Sequence, residues 1–235
     1  MLIDYKKVNI VQDDNVILKD VNLEVNEGEL VYLIGKVGSG KSSLLKTMYC
    51  ELDHDNPEKA EVLGWDVDHI KRKDVPDLRR QMGIIFQDFQ LLHDRTVKRN
   101  LDFVLKATGW KKRKEREARI NEVLESVGMS DKIDKMPHEL SGGEQQHIAI
   151  ARALLNSPRI IIADEPTGNL DIDTARHIVS LLDGIRKDGT AVIMSTHNIQ
   201  MLDEFPGTVY RCKDGTVTNV TQEYHQMDLT EDGKD

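Results

Sequence analysis

The feature that most restricts this fold is a strand, a glycine loop and a helix in immediate succession. Leu30-Val31-Tyr32-Leu33-Ile34 is wholly apolar, and Gly35-Lys36-Val37-Gly38-Ser39-Gly40-Lys41-Ser42-Ser43 follows it directly. Helix formers then run from Ser42 to Tyr49. A short apolar run without alternation fits a strand covered on both faces, as in a parallel sheet. The loop matches GxxxxGK[ST] at every fixed position. In such a loop the glycines let backbone N–H groups turn inward on phosphate oxygens. Lys41 reaches toward β and γ phosphates, and the Ser42 hydroxyl is a Mg²⁺ ligand. The helix adds its positive dipole end at the same place. The competing reading is a glycine turn with no ligand; the flanking strand and helix argue against it.

The rest of the chain supplies the partners of that unit. Val8, Ile10, Val16, Ile17, Leu18, Val21, Leu23 and Val25 recur at nearly alternate positions, which predicts short strands before residue 30. Turns are expected at Asp13-Asp14-Asn15 and Glu27-Gly28. Strand signals return at 60–63, 82–86, 160–163 and 191–195, and helical, charged patterns at 96–128, 144–155 and 173–187. Pro137 and the SGG at 141–143 interrupt the helical region. Strands alternating with helices predict an α/β fold around a parallel sheet. Residues 221–235 are polar and acidic and are expected to form a loose, flexible tail.

Charge and cysteine content narrow the function. With 41 acidic and 32 basic residues, the formal net charge is −9, which disfavours charge-driven nucleic-acid binding. Cys50 and Cys212 lack CxxC or Cys/His spacing, so neither a disulfide framework nor a zinc site is expected. That usage suits a reducing cytoplasm. The start MLIDYKKVNI does not read as a signal peptide. No apolar run approaches the roughly 20 residues of a membrane helix, so a second chain would have to supply any span. The basic stretch WKKRKEREAR at 110–119 could lie near anionic lipid. The favoured reading is a solvated helix face with i,i+4 pairs such as Glu115–Arg119.

Two further constellations carry chemistry. Asp164 and Glu165 end the apolar run Ile160-Ile161-Ile162-Ala163, and open α/β sheets bind ligands beyond strand carboxyl ends. Asp164 is placed to hold Mg²⁺, directly or through water, and Glu165 to take a proton from water attacking a γ-phosphate. Alone, the pair reads as solvated loop acids; beside a phosphate loop it does not. In Leu140-Ser141-Gly142-Gly143-Glu144-Gln145-Gln146, Ser141 and Glu144 form an S-x-x-E capping box. Glycine inside a helix costs up to about 1 kcal/mol. The two here either tolerate that cost for the cap alone or open a second anion site at a helix N-terminus.

LSGGEQQ resembles the signature of ATP-binding cassette (ABC) ATPases, and the other motifs of that family follow in order. Gln87 in IIFQD matches the glutamine loop, Asp164-Glu165 the Walker B pair, Gly168-Asn169-Leu170-Asp171 the subunit-crossing loop, and His197 in STHN the switch histidine. Read alone, His197 would be structural. The resemblance covers about residues 1–218. It implies an ABC-type P-loop NTPase fold over 1–220, with an N-terminal antiparallel β subdomain and an inserted helical subdomain at about 90–156. It implies an ATPase using ATP and Mg²⁺, with Ser42, Gln87 and Asp164 at the metal. It further implies a homodimer closed head to tail around two ATP, in which Ser141, Gly142, Gly143 and Glu144 meet the γ-phosphate of the opposite copy's ATP. Asp171 would cross between subunits, His197 would contact the γ-phosphate, and Gln87 would meet the attacking water and face a membrane partner. Two departures stand out: residues 8–13 (VNIVQD) offer no aromatic to stack on adenine, and His147 replaces a common arginine.

Within the family, VPDLRRQ at 75–81 and GIIFQDFQLLHDRTVKRN at 83–100 are similar to the bacterial cell-division branch. That likeness implies an integral membrane partner of the FtsX type, control of septal peptidoglycan hydrolysis, and a peripheral position on the cytoplasmic face of the inner membrane. DEPTGNLD at 164–171 is shared with lipoprotein-release and macrolide-export ATPases, which form the alternative. A non-transport ATPase acting on DNA or ribosomes is the third reading; the single cassette and the lack of a coiled coil weigh against it.

Overall fold

The computed structural model describes residues 1–13 and 15–224. Alternating apolar residues build a hairpin from β1 (Ile3–Gln12) and β2 (Asn15–Val25). Ile3, Tyr5, Val8 and Ile10 on β1 and Leu18, Val21, Leu23 and Val25 on β2 are buried. The strands are longer than the sequence pattern suggests, at 10 and 11 residues. Register shifts between Tyr5 and Val8, Val8 and Ile10, and Ile10 and Val11 explain the imperfect alternation. Each such shift changes which side chains face inward.

The chain continues through β3 (Leu30–Ile34), α1 (Lys41–Met48), β4 (His54–Asp55), β5 (Lys59–Val62), β6 (Trp65–Asp66), α2 (Val75–Arg79) and β7 (Met82–Ile85). It then forms α3 (Val97–Ala107), α4 (Arg113–Ser126), α5 (Gly142–Leu154), β8 (Ile160–Ala163) and α6 (Ile172–Lys187). β9 (Ala191–Thr196), α7 (Gln200–Glu204), β10 (Thr208–Lys213) and β11 (Thr216–Asn219) follow. The antiparallel sheet has the order β2-β1-β5-β6, with β4 also on β1. The second sheet has the order β11-β10-β3-β9-β8-β7 and is parallel except for the β10–β11 pair.

The parallel sheet is covered on both faces, which is why its strands are apolar throughout. Tyr32, Ile34, Ile161, Ala163, Val192 and Met194 belong to one core with residues of α3, α4, α5 and α6. Val31, Leu33, Ile160, Ile162 and Ile193 belong to the other, with Leu44, Leu45 and Met48 of α1 and the antiparallel sheet. Ile34 pairs with Thr196, Ala163 with Met194 and Ile85 with Ala163. The carboxyl ends of β3, β9, β8 and β7 therefore meet along one edge.

Four details differ from the sequence pattern. The helical region expected at 96–128 splits into α3 and α4, with Gly109 in left-handed backbone at φ +97° between them. α5 starts at Gly142 rather than 144, because Ser141 caps it and draws both glycines into the first turn. β10 and β11 between 208 and 219 have no counterpart in the sequence pattern, because their few apolar residues are interleaved with charged ones in β10 and with threonines in β11. The Glu115–Arg119 pair does not form. Glu115 pairs with Lys112, while Arg119 donates to the Leu154 and Leu155 carbonyls at the end of α5. Helix C-terminal carbonyls attract cations. Arg116 in the same stretch is buried on Asp102 at 2.6 Å. No helix among the described residues is long and apolar enough to cross a membrane. At the far end, Val220 donates to the Val209 carbonyl and Tyr224 is buried. The rest of the expected tail, 225–235, lies outside the described residues.

Candidate functional site

The phosphate-type loop runs from the end of β3 into α1. Its last glycine, Gly40, is the N-cap of α1 at φ +94°, and a Cβ there would lie 2.9 Å from both Ile17 Cγ2 and Leu18 Cγ. Left-handed backbone and missing space together demand glycine. α1 has no side-chain cap and no acid in its first turn, so its leading N–H groups remain for a ligand. The buried Lys41 ammonium donates to the Gly35 carbonyl at 2.8 Å and the Lys36 carbonyl at 2.9 Å. Ser42 Oγ donates to Asp164 Oδ1 at 2.9 Å, and Ser43 Oγ to Gln12 Oε1 at 3.3 Å. Ser39 Oγ is buried with no hydrogen-bond partner among the described residues, while Val37 is exposed. A cavity of about 230 Å³ separates residues 35–39 from Arg211, Cys212, Lys213 and Asp214 at the end of β10. Burial pushes the Cys212 thiol up to about 12.

The end of β8 faces this loop. Ser195 Oγ on β9 donates to Asp164 Oδ1 at 2.6 Å and accepts the Glu165 N–H at 2.8 Å. One hydroxyl thus fixes both acids. Glu165 is itself left-handed, at φ +44°, a conformation disfavoured for a residue with a side chain and common at working sites. Its Oε1 lies 3.6 Å from Lys41 Nζ and its Oε2 lies 3.2 Å from His197 Nδ1. The Glu165 side chain is 12% exposed and that of His197 51%, so the pair spans the boundary between protein and solvent. Gln87 is exposed two residues beyond β7; its carbonyl accepts from Asn169 Nδ2 at 3.2 Å. Ser42 and Asp164 present hard oxygen donors, which fit Mg²⁺ completed by water and phosphate oxygens.

The other glycine turn has a different setting. Ser141 Oγ accepts from the Glu144 N–H at 3.3 Å, and Glu144 Oε2 accepts from the Ser141 N–H at 2.8 Å. Lys132 lies 3.0 Å from Glu144. The Ser141 N–H and Lys132 hold the Glu144 carboxyl below its usual range. A Cβ on Gly143 would lie 2.7 Å from Thr174 Cγ2 on α6, so only glycine permits this approach. Gly142 sits against Leu170 and Phe89. Asp171 caps α6, accepting from the Thr174 N–H at 3.0 Å and its hydroxyl at 2.7 Å, and these bonds keep it ionised below the usual range.

The candidate residues therefore fall into two groups. Lys41, Ser42, Asp164, Glu165 and His197 converge; Ser141, Gly142, Gly143 and Glu144 assemble with the 168–171 loop and α6. No hydrogen bond or ion pair among the described residues joins 141–144 to 35–43. Sequence reasoning missed Ser195, whose signal was a hydroxyl closing the apolar run of β9 opposite the Asp164 strand. It also missed Gln146, which is fully buried and donates to the Pro166 carbonyl at 2.7 Å. Its only signal was an amide on the apolar side of α5.

Residues 18–168 match the family model described as ABC transporter. The chain is 42% identical over 200 residues to the cell division ATP-binding protein FtsE of Streptococcus pneumoniae, covering 85% of this chain and 86% of that one. The structure of CbiO1 from Clostridium perfringens, part of an ABC transporter complex, superposes with TM-score 0.86 at 28% identity, over 97% of this chain and 92% of that chain. The ATP-binding cassette MJ0796, solved as a dimer in a post-hydrolysis state with ADP and Pi, gives TM-score 0.78 at 33% identity, over 92% and 96%. The α/β architecture is thus the ABC-type P-loop NTPase fold, and the chain belongs to the ABC transporter family as one of its ATP-hydrolysing subunits.

Proposed function

We propose that two copies of this chain close head to tail around two ATP and drive an FtsX-type membrane partner that regulates septal peptidoglycan hydrolysis in bacterial cell division. The reading places the chain peripherally at the cytoplasmic face of the inner membrane. Its main support is the likeness to FtsE, which runs over 85% of the chain. The separation of residues 141–144 from the phosphate loop supports the two-copy site, as does the likeness to a cassette solved as a dimer.

In this reading the loop N–H groups and Lys41 take the β and γ phosphates, and the γ-phosphate competes with Glu165 for the Lys41 ammonium. That frees Glu165 as base. Water oxygen bonds to the γ-phosphorus, the bridging bond to the β-phosphate breaks, and the proton passes to Glu165, leaving ADP and phosphate. His197 steadies the Glu165 carboxylate and the γ-phosphate, and Gln87 orients the water. Ser42 and Asp164, with Gln87, would hold Mg²⁺, which supplies charge neutralisation at the phosphate oxygens. Ser141 and the N–H groups of Gly142 and Gly143 would close on the opposite copy's γ-phosphate, with Glu144 holding their turn and Asp171 leading the crossing loop.

The test is Glu165→Gln. ATP binding should persist, turnover should fall by about 10²- to 10⁴-fold, and an ATP-bound dimer should accumulate on a sizing column. Only monomer with ATP and Mg²⁺, with and without the membrane partner, would sink the two-copy site. For the division role, depletion should give filamentous or chained cells; an export or lipoprotein-release defect with normal division overturns it.

A further inference from the structure

We propose that Arg152 is a positioning residue for ATP hydrolysis, clamping the segment after Gln87 to the helix that carries the 141–144 turn. The inference rests on the roles given above to Gln87 and to that turn. Arg152 lies in the last turn of α5. Its Nη1 donates to the Gln90 carbonyl at 2.6 Å and its Nη2 to the Phe89 carbonyl at 2.8 Å. The guanidinium carbon is 6.0 Å from the Phe86 ring centroid. No carboxylate among the described residues pairs with it, so a mostly buried cation has only two backbone carbonyls as polar partners. Burial lowers this group to about 10, which leaves it charged at neutral pH. A buried charge kept without a counter-ion is unfavourable unless its hydrogen bonds offset the desolvation.

The two carbonyls belong to an unusual stretch. Phe89 has φ +59° and Gln90 φ +48°, two successive side-chain-bearing residues in left-handed backbone. Such a pair persists only where its surroundings over-determine it. Arg152 supplies that constraint two and three residues after Gln87. Asn169 Nδ2 holds the Gln87 carbonyl from the 168–171 loop. α5 is tied to the nucleotide site at two more levels, through Gln146 on the Pro166 carbonyl and Gly143 against Thr174. The helix offering residues 141–144 to a second copy is thus fastened to the loops carrying Gln87 and Glu165 in its own copy. Arg152 is the fastening on the Gln87 side. Without it, the Phe89–Gln90 pair relaxes toward extended backbone and Gln87 loses its place.

The test is a double-mutant cycle on steady-state ATPase of the full chain, with nucleotide affinity measured separately. Arg152→Met should lower kcat at least tenfold and leave nucleotide Kd within twofold. Arg152→Lys, which keeps the charge but replaces the two-nitrogen fork by a single ammonium, should recover at least threefold over Met. Adding Arg152→Met to Gln87→Ala should cost less than a further twofold, because both act through Gln87. The clamp is overturned if Arg152→Met keeps kcat within twofold of the parent, or if its loss multiplies in full with that of Gln87→Ala. Should Arg152→Met not fold, Arg152→Gln, which removes the charge and shortens the reach, takes its place in the same cycle with the same criteria. A Gln87→Ala chain with parental kcat would instead overturn the role given to Gln87, and the clamp with it.

Discussion

Two helices of this molecule begin at glycine turns, and they treat their first N–H groups in opposite ways. α1 starts from Gly40 with no side-chain cap and no acid in its first turn. α5 starts from Ser141 with a complete capping box, and its acid, Glu144, is folded back onto the turn and onto Lys132. The first helix end holds its positive potential in reserve for an anion. The second has spent part of it on its own carboxylate. An N-terminus already holding a carboxylate attracts a phosphate more weakly than a bare one. The difference suits a site that binds at all times against one that engages only when a second copy brings the ligand.

The largest effect expected from this contrast is at Lys41. Lys41→Ala should weaken nucleotide binding by about 10- to 100-fold, the loss of one or two charge-assisted hydrogen bonds. Isothermal titration with ATP measures it, and unchanged affinity would remove the phosphate-loop assignment. The glycines sharpen the comparison next. Gly40→Ala forces left-handed backbone and a clash with Ile17 and Leu18, so it should lower stability by about 1–3 kcal/mol and impair binding. Gly143→Ala should leave nucleotide affinity intact while reducing turnover about tenfold, because Thr174 must move and the 141–144 turn with it. Equal loss of affinity in both variants would erase the distinction. The smallest effect is at the cap. Ser141→Ala should cost about 1 kcal/mol of stability in a denaturant titration and leave the affinity of the isolated chain for ATP unchanged.

The strand–loop–helix unit was legible because its information is local. Leu30 to Ser42 encodes its own geometry through an apolar run, glycines and helix formers. The same holds for Ser141 and Glu144, which find each other three residues apart. What was not legible depends on register between distant strands. Ser195 meets Asp164 only because β9 lies beside β8 with Ala163 opposite Met194. Gln12 meets Ser43 because the hairpin folds over α1. Arg119 looks like an exposed charge in the sequence because its partner carbonyls, at Leu154 and Leu155, are 35 and 36 residues away. The bulges of β1 hid its full length by breaking the alternation that marks a strand.

The buried Cys212 has a consequence for handling the protein. The chain has two cysteines, and burial raises the pKa of both, Cys50 from a half-buried position and Cys212 from beneath the phosphate loop. The nucleophile in thiol labelling is the thiolate. Cys212 is almost wholly buried in the core shared with the β1–β2 hairpin and α1, so its alkylation requires that core to open locally, and its rate counts those openings. The unmodified chain thus carries a built-in clock for local opening beside its phosphate loop, readable by mass spectrometry without an added probe.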